Sequence, residues 1–392
     1  MKDRKQMTRR RFTVSAAAWP LALRGVAEAQ AGVTSRQGSA RWVLLGTDTG
    51  KGIYRALWNP VTGLLGSAQL AVETVRPAFL ARHPSLPVVY AANSASGAEA
   101  GVSSFALDLT HGGLTALNRV GSQGDGPCFV SADATGTMAF VANYAGGSFA
   151  AFRLTNTGGL AQAIGVFKYN QPTHGPVAER QEGAHMHCAT VAPGNSFVIS
   201  CDLGDDVLLV FPVGPGRGDY VRVPTRVAAR PGSGPRHVAF HPNGEWVYCI
   251  HELDCTIDLY DWRVERGTPA MRMREGSTVS TLAHGASLTG NTACEIVVSD
   301  DGRFVYACTR GEDSIVVYSV DASTGLLTEQ QRLKCGGNVP RYIGFDPSRR
   351  WLLCCNQGSS TVTTFSHDPA TGKLGTRART SPVPTPMFAL WV

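Results

Sequence analysis

Imidazoles, guanidiniums and carboxylates recur at matching places in successive stretches of this chain. His185 and His187 flank a methionine, Arg236 precedes His237, Glu252 follows His251, and Arg310 and Arg341 come later. Asn143 and Asp202 stand at the ends of two further apolar runs. A neutral imidazole or a carboxylate can take a proton, and guanidiniums can hold an anion or a developing oxyanion. The set His187, Arg236, Glu252 and Arg310 is therefore sufficient for general acid–base chemistry on a polar substrate. His185, His237, Asn143, Asp202 and Arg341 are candidates for substrate contact. The His-x-His alternation would put both imidazoles on one strand face. No third ligand at a typical spacing accompanies it, and nearby arginines would repel a cation, so the residues point away from a metal.

These residues need elements that bring them together across more than 100 positions, and the sequence supplies a repeat. APGNSFVISCD (192–202), HPNGEWVYCIHE (241–252), SDDGRFVYACTR (299–310) and DPSRRWLLCCN (346–356) share one pattern. It is a turn with Pro, Asp or Gly, then a β-rich run ending in a polar residue. Looser copies are RHPSLPVVYAAN (82–93) and DATGTMAFVAN (133–143). The polar ends Asn93, Asn143, Asp202, Glu252, Arg310 and Asn356 are spaced by 50, 59, 50, 58 and 46 residues. A second β run follows each copy and a short strand, often opened by Pro, precedes it. Thr-Gly and Gly-Gly steps at 62–65, 112–115, 157–160, 324–327 and 371–374 read as tight turns between copies. A period near 50 built of short strands predicts an all-β, seven-bladed propeller with four-stranded blades. Six blades come from the copies. The seventh joins the hairpin at 41–59 to PMFALWV at 386–392, closing the ring by pairing the first and last strands and leaving no free edge. The inner strands of such a ring line a channel, and buried charges there require partners or a ligand.

The first 31 residues read as a leader. A basic start, Thr8-Arg9-Arg10-Arg11-Phe12, an apolar stretch from Val14 to Leu23, and Ala27-Glu28-Ala29 or Ala29-Gln30-Ala31 match a twin-arginine signal peptide. The expectation is passage through the twin-arginine export machinery to the periplasm or outside, with the propeller domain spanning 40–392. The apolar stretch is too short for a permanent membrane span. The chain's net charge is +6, of which +5 lies in the leader, so nothing supports a nucleic-acid surface. Ten cysteines in an exported chain suggest disulfides, but five of them (Cys201, Cys249, Cys308, Cys354 and Cys355) fall inside apolar strands of different repeats. They are expected to pack as free, small hydrophobes.

GPRHVAFHPNGEWVYCIHELD (234–254), CEIVVSDDGRFVYACTRGEDSI (294–315), RQEGAHMHCATVAPGNSFVISCDLGDD (180–206) and GPCFVSADATGTMAFVANYAGGSFAAF (126–152) resemble the lactonase family of seven-bladed propellers. That family includes cycloisomerase-type 6-phosphogluconolactonases and carboxymuconate lactonizing enzymes. The resemblance, which also takes in VPRYIGFDPSRRWLLCCNQGSSTVTTF (339–365), covers residues 40–392. It implies lactone ring opening or closing with no metal or organic cofactor, and a site formed by His187, Arg236, Glu252 and Arg310. Phe129 stands where many relatives have His, and His251 where Asn is common. The resulting expectation is water attack on a small-molecule sugar lactone, with Glu252 or His187 as base. The alternatives are a lactone-forming cycloisomerase and a non-catalytic exported binding propeller.

Overall fold

The chain forms seven antiparallel sheets arranged as blades around one axis. The computed structural model describes residues 41–169, 174–213 and 223–392; residues 1–31, for which a leader is expected, lie outside the described residues. In blade 2 the strands run from the axis outward as Pro77–Arg82, Val88–Asn93, Gly101–Leu107 and Leu114–Gly121. Blades 3, 5, 6 and 7 repeat this order, with inner strands Pro127–Ala132, Pro235–Phe240, Thr292–Val298 and Pro340–Phe345. Blade 4 differs. Its inner strand is reduced to Thr190–Val191 and a single bridge between Met186 and Asp202, so the His185–His187 stretch is not a regular strand.

Blade 1 closes the ring. Pro386–Trp391 pairs with Arg41–Thr47, matching Leu44 with Leu390 and Leu45 with Ala389. Alternating apolar residues on both faces of each sheet pack against the neighbouring blades. Each main apolar cluster accordingly spans two adjacent blades, as where Tyr306 and Val317 meet Ile343 and Leu352. All ten cysteines are free, and nine of them are buried. No helix among the described residues is long and apolar enough to cross a membrane.

The Thr-Gly and Gly-Gly turns lie inside blades, linking third strand to fourth, rather than between blades as the sequence suggested. Each reaches sideways to the preceding blade. Tyr90 Oη donates to Gly158 O (2.9 Å), Tyr248 Oη to Gly325 O (2.8 Å), and Tyr306 Oη to Gly372 O (2.8 Å). The glycine lies flat on an aromatic ring. A Cβ on Gly372 would sit 2.4 Å from the Phe304 ring, and one on Gly63 would sit 2.3 Å from Trp351. Both have φ near +70°, so the turn demands glycine twice, for conformation and for room.

A second recurrent device aims side chains at the axis. The residue before the opening proline has positive φ in five blades: Arg76, Gly126, Gly234, Val339 and Thr385. The residue after that proline is an extra one with no partner on the middle strand. Pro235 faces His251 and His237 faces Ile250, leaving Arg236 as a bulge. Arg341 and Cys128 are bulged in the same way. Bulges re-aim a side chain out of the period-2 alternation, so Arg236 and His237 both reach the channel although they are neighbours in sequence.

Gly372→Ala combines a left-handed φ with a ring clash. Gly267, in the matching turn of blade 5, has φ +78° and nothing within 4 Å of a built Cβ. Gly267→Ala should cost about 1–2 kcal/mol from backbone conformation alone. Gly372→Ala should cost about 1–3 kcal/mol more, the usual penalty of overpacking. Denaturant melts of the two variants measure the difference, and equal losses would show that the turn does not press on the ring.

Candidate active site

A pocket of about 390 Å³ opens at one mouth of the channel. Its lining comes from six blades, including Arg76, Cys128, Tyr144, Arg180, His187, Glu252, Thr292, Arg310 and Arg341. A residue set of that kind can converge only on the axis of the ring.

Glu252 is the centre of the arrangement. Its side chain is 4% exposed and is held by three guanidiniums. Arg236 Nε (3.0 Å) and Arg310 Nη2 (2.9 Å) donate to Oε2. Arg180 Nη2 donates to Oε1 at 2.6 Å. Burial alone would raise the Glu252 pKa, but Arg310, Arg236 and Arg180 together hold it well below the usual carboxylate range. A carboxylate so clamped is a counter-ion and a poor base.

His187 Nε2 lies 3.8 Å from Glu252 Oε2. Burial, with Arg236 and His237 nearby, pushes the His187 pKa well below its ordinary value. The ring is therefore a neutral imidazole at physiological pH. Cys128 Sγ lies 3.9 Å from His187 Nδ1, and burial pushes its thiol up to about 12. Arg341 lines the pocket, and no carboxylate among the described residues pairs with it. Burial, then repulsion from Arg310 and Arg236, lowers its pKa. Four guanidiniums thus line the pocket, those of Arg76, Arg180, Arg310 and Arg341, while Arg236 lies behind Glu252, the one carboxylate of the lining.

The four residues singled out as a reactive set, His187, Arg236, Glu252 and Arg310, do meet here. Among the five expected to touch substrate, Arg341 lines the pocket and the others do not. His237 is buried below it, with Nδ1 2.9 Å from Glu295 Oε1. It packs against an aromatic floor in which Phe79 stacks on Phe129 at 4.0 Å and meets Phe388 at 4.0 Å. Phe129 thus belongs to the floor and not to the mouth. His185 is tucked under Tyr144, with ring centroids 4.4 Å apart and an angle of 14° between planes.

Asn143 and Asp202 correct the expectation outright. Both are fully buried and bind backbone. Asn143 Nδ2 donates to Ser122 O (2.8 Å), and Asp202 Oδ1 accepts from the amides of His185 and Gly204. The reason is a register offset of one. Asn143, Asp202, His251, Thr309 and Asn356 are the last residues of their middle strands to pair with the third strand, each opposite a residue five positions later. Glu252 and Arg310 come one residue after these. Their counterpart in blade 3 is Tyr144, which the sequence reading passed over. Comparing strand ends one position further along would have found it. Arg180 sits outside the strands and had no repeat to mark it. Its neighbour Gln181 is fully buried and ties this segment down, donating from Nε2 to Leu203 O (2.8 Å).

Tyr144 Oη accepts from Arg180 Nη2 (3.2 Å). Its ring meets His187 edge-on at 5.4 Å. No group of three or more His, Cys, Asp and Glu among the described residues is placed to hold a metal ion.

Seven blades with a polar pocket at one axial mouth define a seven-bladed propeller with a candidate site on its axis. The chain belongs to the family described as "Lactonase, 7-bladed beta-propeller", whose pattern matches residues 42–391. It is 31% identical over 299 residues to a 6-phosphogluconolactonase of Bacillus subtilis (strain 168), covering 76% of this chain and 82% of that one. A 6-phosphogluconolactonase of Formosa agariphila is 29% identical over 72% of this chain and 80% of its own length. Among solved structures, the periplasmic gluconolactonase of Pseudomonas aeruginosa superposes with a TM-score of 0.82 at 26% identity. That match covers 90% of this chain and 99% of the other.

Glu252→Gln would leave buried guanidiniums without their counter-ion and should destabilise by about 3–5 kcal/mol. The pKa of Glu252 is depressed in the folded state. Its contribution is therefore fully present above the ordinary carboxylate value of 4.5 and is lost as pH falls below it. Thermal melts should show the Glu252→Gln deficit at pH 7 and its shrinkage well below pH 4.5. A deficit unchanged across that range would mean that Glu252 is not the clamped charge.

Proposed function

We propose that the protein hydrolyses a sugar lactone by direct attack of water. The observation that carries this reading is a neutral imidazole, His187, facing the same pocket as Arg341, a guanidinium with no carboxylate partner among the described residues. His187 takes a proton from water, and the hydroxide adds to the lactone carbonyl. Arg310 and Arg341 hold the oxyanion, and collapse of the tetrahedral intermediate breaks the bond to the ring oxygen. Glu252 keeps Arg236 and Arg310 in place and is not itself the base. Family membership supports lactone chemistry. The gluconolactonase and 6-phosphogluconolactonase relatives support a six-carbon aldonolactone, and the surplus of guanidiniums favours a substrate with an acidic substituent.

Acid release from a panel including glucono-1,5-lactone and its 6-phosphate, corrected for the buffer rate, tests the reading. His187→Ala should lower kcat about 10²–10⁴-fold on the accepted lactone. Because the imidazole pKa is depressed, the acid limb of kcat/KM should lie well below pH 6.5. Full activity in His187→Ala would move the base elsewhere. A protein that binds but opens no lactone on the panel would be a binding propeller.

We also propose export in the folded state through the twin-arginine route, a reading that rests on residues 1–31 alone. Free thiols buried across several blades fit folding in a reducing compartment first. Replacing Arg9 and Arg10 with Lys should abolish export of a reporter fused to the leader, and continued export would defeat the assignment.

A further inference from the structure

Ring opening leaves an alkoxide that needs a proton. Glu252 is ionised under three guanidiniums. The Cys128 thiol is spent on backbone carbonyls of Ala142 and Met186. Tyr144 is different. It lines the pocket, and its phenol oxygen accepts one hydrogen bond, from Arg180, while no acceptor among the described residues takes its proton. Its ring is fixed on both sides, stacked on His185 and edge-on to His187, and its own carbonyl lies 3.0 Å from His185 Nδ1. It occupies the register position that gives Glu252 and Arg310 to blades 5 and 6.

We propose that Tyr144 is the general acid of this reaction, giving its phenolic proton to the ring oxygen as the lactone opens, with Arg180 holding the phenolate. The inference rests on the lactonase reading and deepens it. The proton balance closes. His187 removes a proton from water, and the hydroxide adds to the carbonyl carbon. The bond from that carbon to the ring oxygen breaks, and the alkoxide takes the Tyr144 proton. The product acid releases its own proton to solvent. Protonated His187, against whose ring the phenol packs, then restores the Tyr144 proton through solvent. Burial raises the phenol pKa and the Arg180 hydrogen bond opposes it, so the group is protonated at neutral pH yet has a cation ready for its anion. The charged and titratable groups facing it are Arg180, His185, His187, Glu252 and Cys128.

Two measurements on the full-length protein test the assignment, using whichever sugar lactone the wild type opens. Tyr144→Phe keeps the ring packing. It should lower kcat about 10²-fold or more, the usual worth of a general acid, with KM changed far less. Incorporating 3-fluorotyrosine at position 144 lowers the phenol pKa and should move the alkaline limb of kcat to lower pH. A merely structural tyrosine would not move that limb. Wild-type activity in Tyr144→Phe, or an unmoved alkaline limb in the fluorinated protein, overturns the role while leaving the lactonase reading intact. A wild type inert towards every lactone overturns that reading, and this assignment with it.

Discussion

The site depends on how five of the inner strands begin. A residue with positive φ, a proline and a bulged residue bring the chain to the axis, and the bulge turns one extra side chain inward. In most blades that side chain is unremarkable, as with Ala78 and Met387. In blades 5 and 7 it is Arg236 and Arg341. Two guanidiniums near a narrow axis repel each other and are costly to desolvate. Glu252 offsets this by taking Arg236 and Arg310 on one oxygen and Arg180 on the other. That neutralisation removes Glu252 as a base. The same field, together with burial, strips the proton from His187 and leaves it ready to accept one. One electrostatic arrangement thus leaves Glu252 ionised and His187 neutral, a difference that spacing alone could not show.

The fold was legible because its causes are local and recur. Turn glycines, opening prolines and β-rich runs repeat about every 50 residues, and an array of such units has few ways to bury its faces. The gathering of His187, Arg236, Glu252 and Arg310 was legible for the same reason, since charged and imidazole side chains stand out against an apolar repeat. Elsewhere the reading failed by small geometric margins. Asn143 and Asp202 look like Glu252 in the sequence but lie one position earlier, where a side chain meets backbone instead of the pocket. Arg236 and His237 share the channel only because of a bulge, which periodicity cannot display. Arg180 comes from a connecting segment with no counterpart in other blades, and its role is set by the distant Glu252.

The floor of the pocket shapes what can happen above it. Phe79 stacks on Phe129 and leans on Phe388 beneath the arginines, and Tyr342 packs against Phe388 at 4.2 Å. The pocket itself is lined by cationic and polar side chains, and the rings lie outside its lining. Phe79 and Phe129 pack against His237, and Arg236 beside it is buried, so the charge interactions of Arg236 act with little water to screen them. His237 Nδ1 meets Glu295 Oε1 at 2.9 Å just beneath this boundary.

The pairing of 386–391 with 41–47 has a meaning beyond tidying two strand edges. In a linear array of repeats the outermost units have one neighbour and open first, so stability grades from the middle outward. Here every blade has two neighbours, and aromatic–glycine contacts lock many of the boundaries. No blade is terminal, and fraying has no natural starting point. Local opening must break two interfaces at once, so the molecule should behave as a single cooperative unit. The pocket, assembled from six blades, inherits that rigidity: no blade can move its share of the site without straining the whole circle.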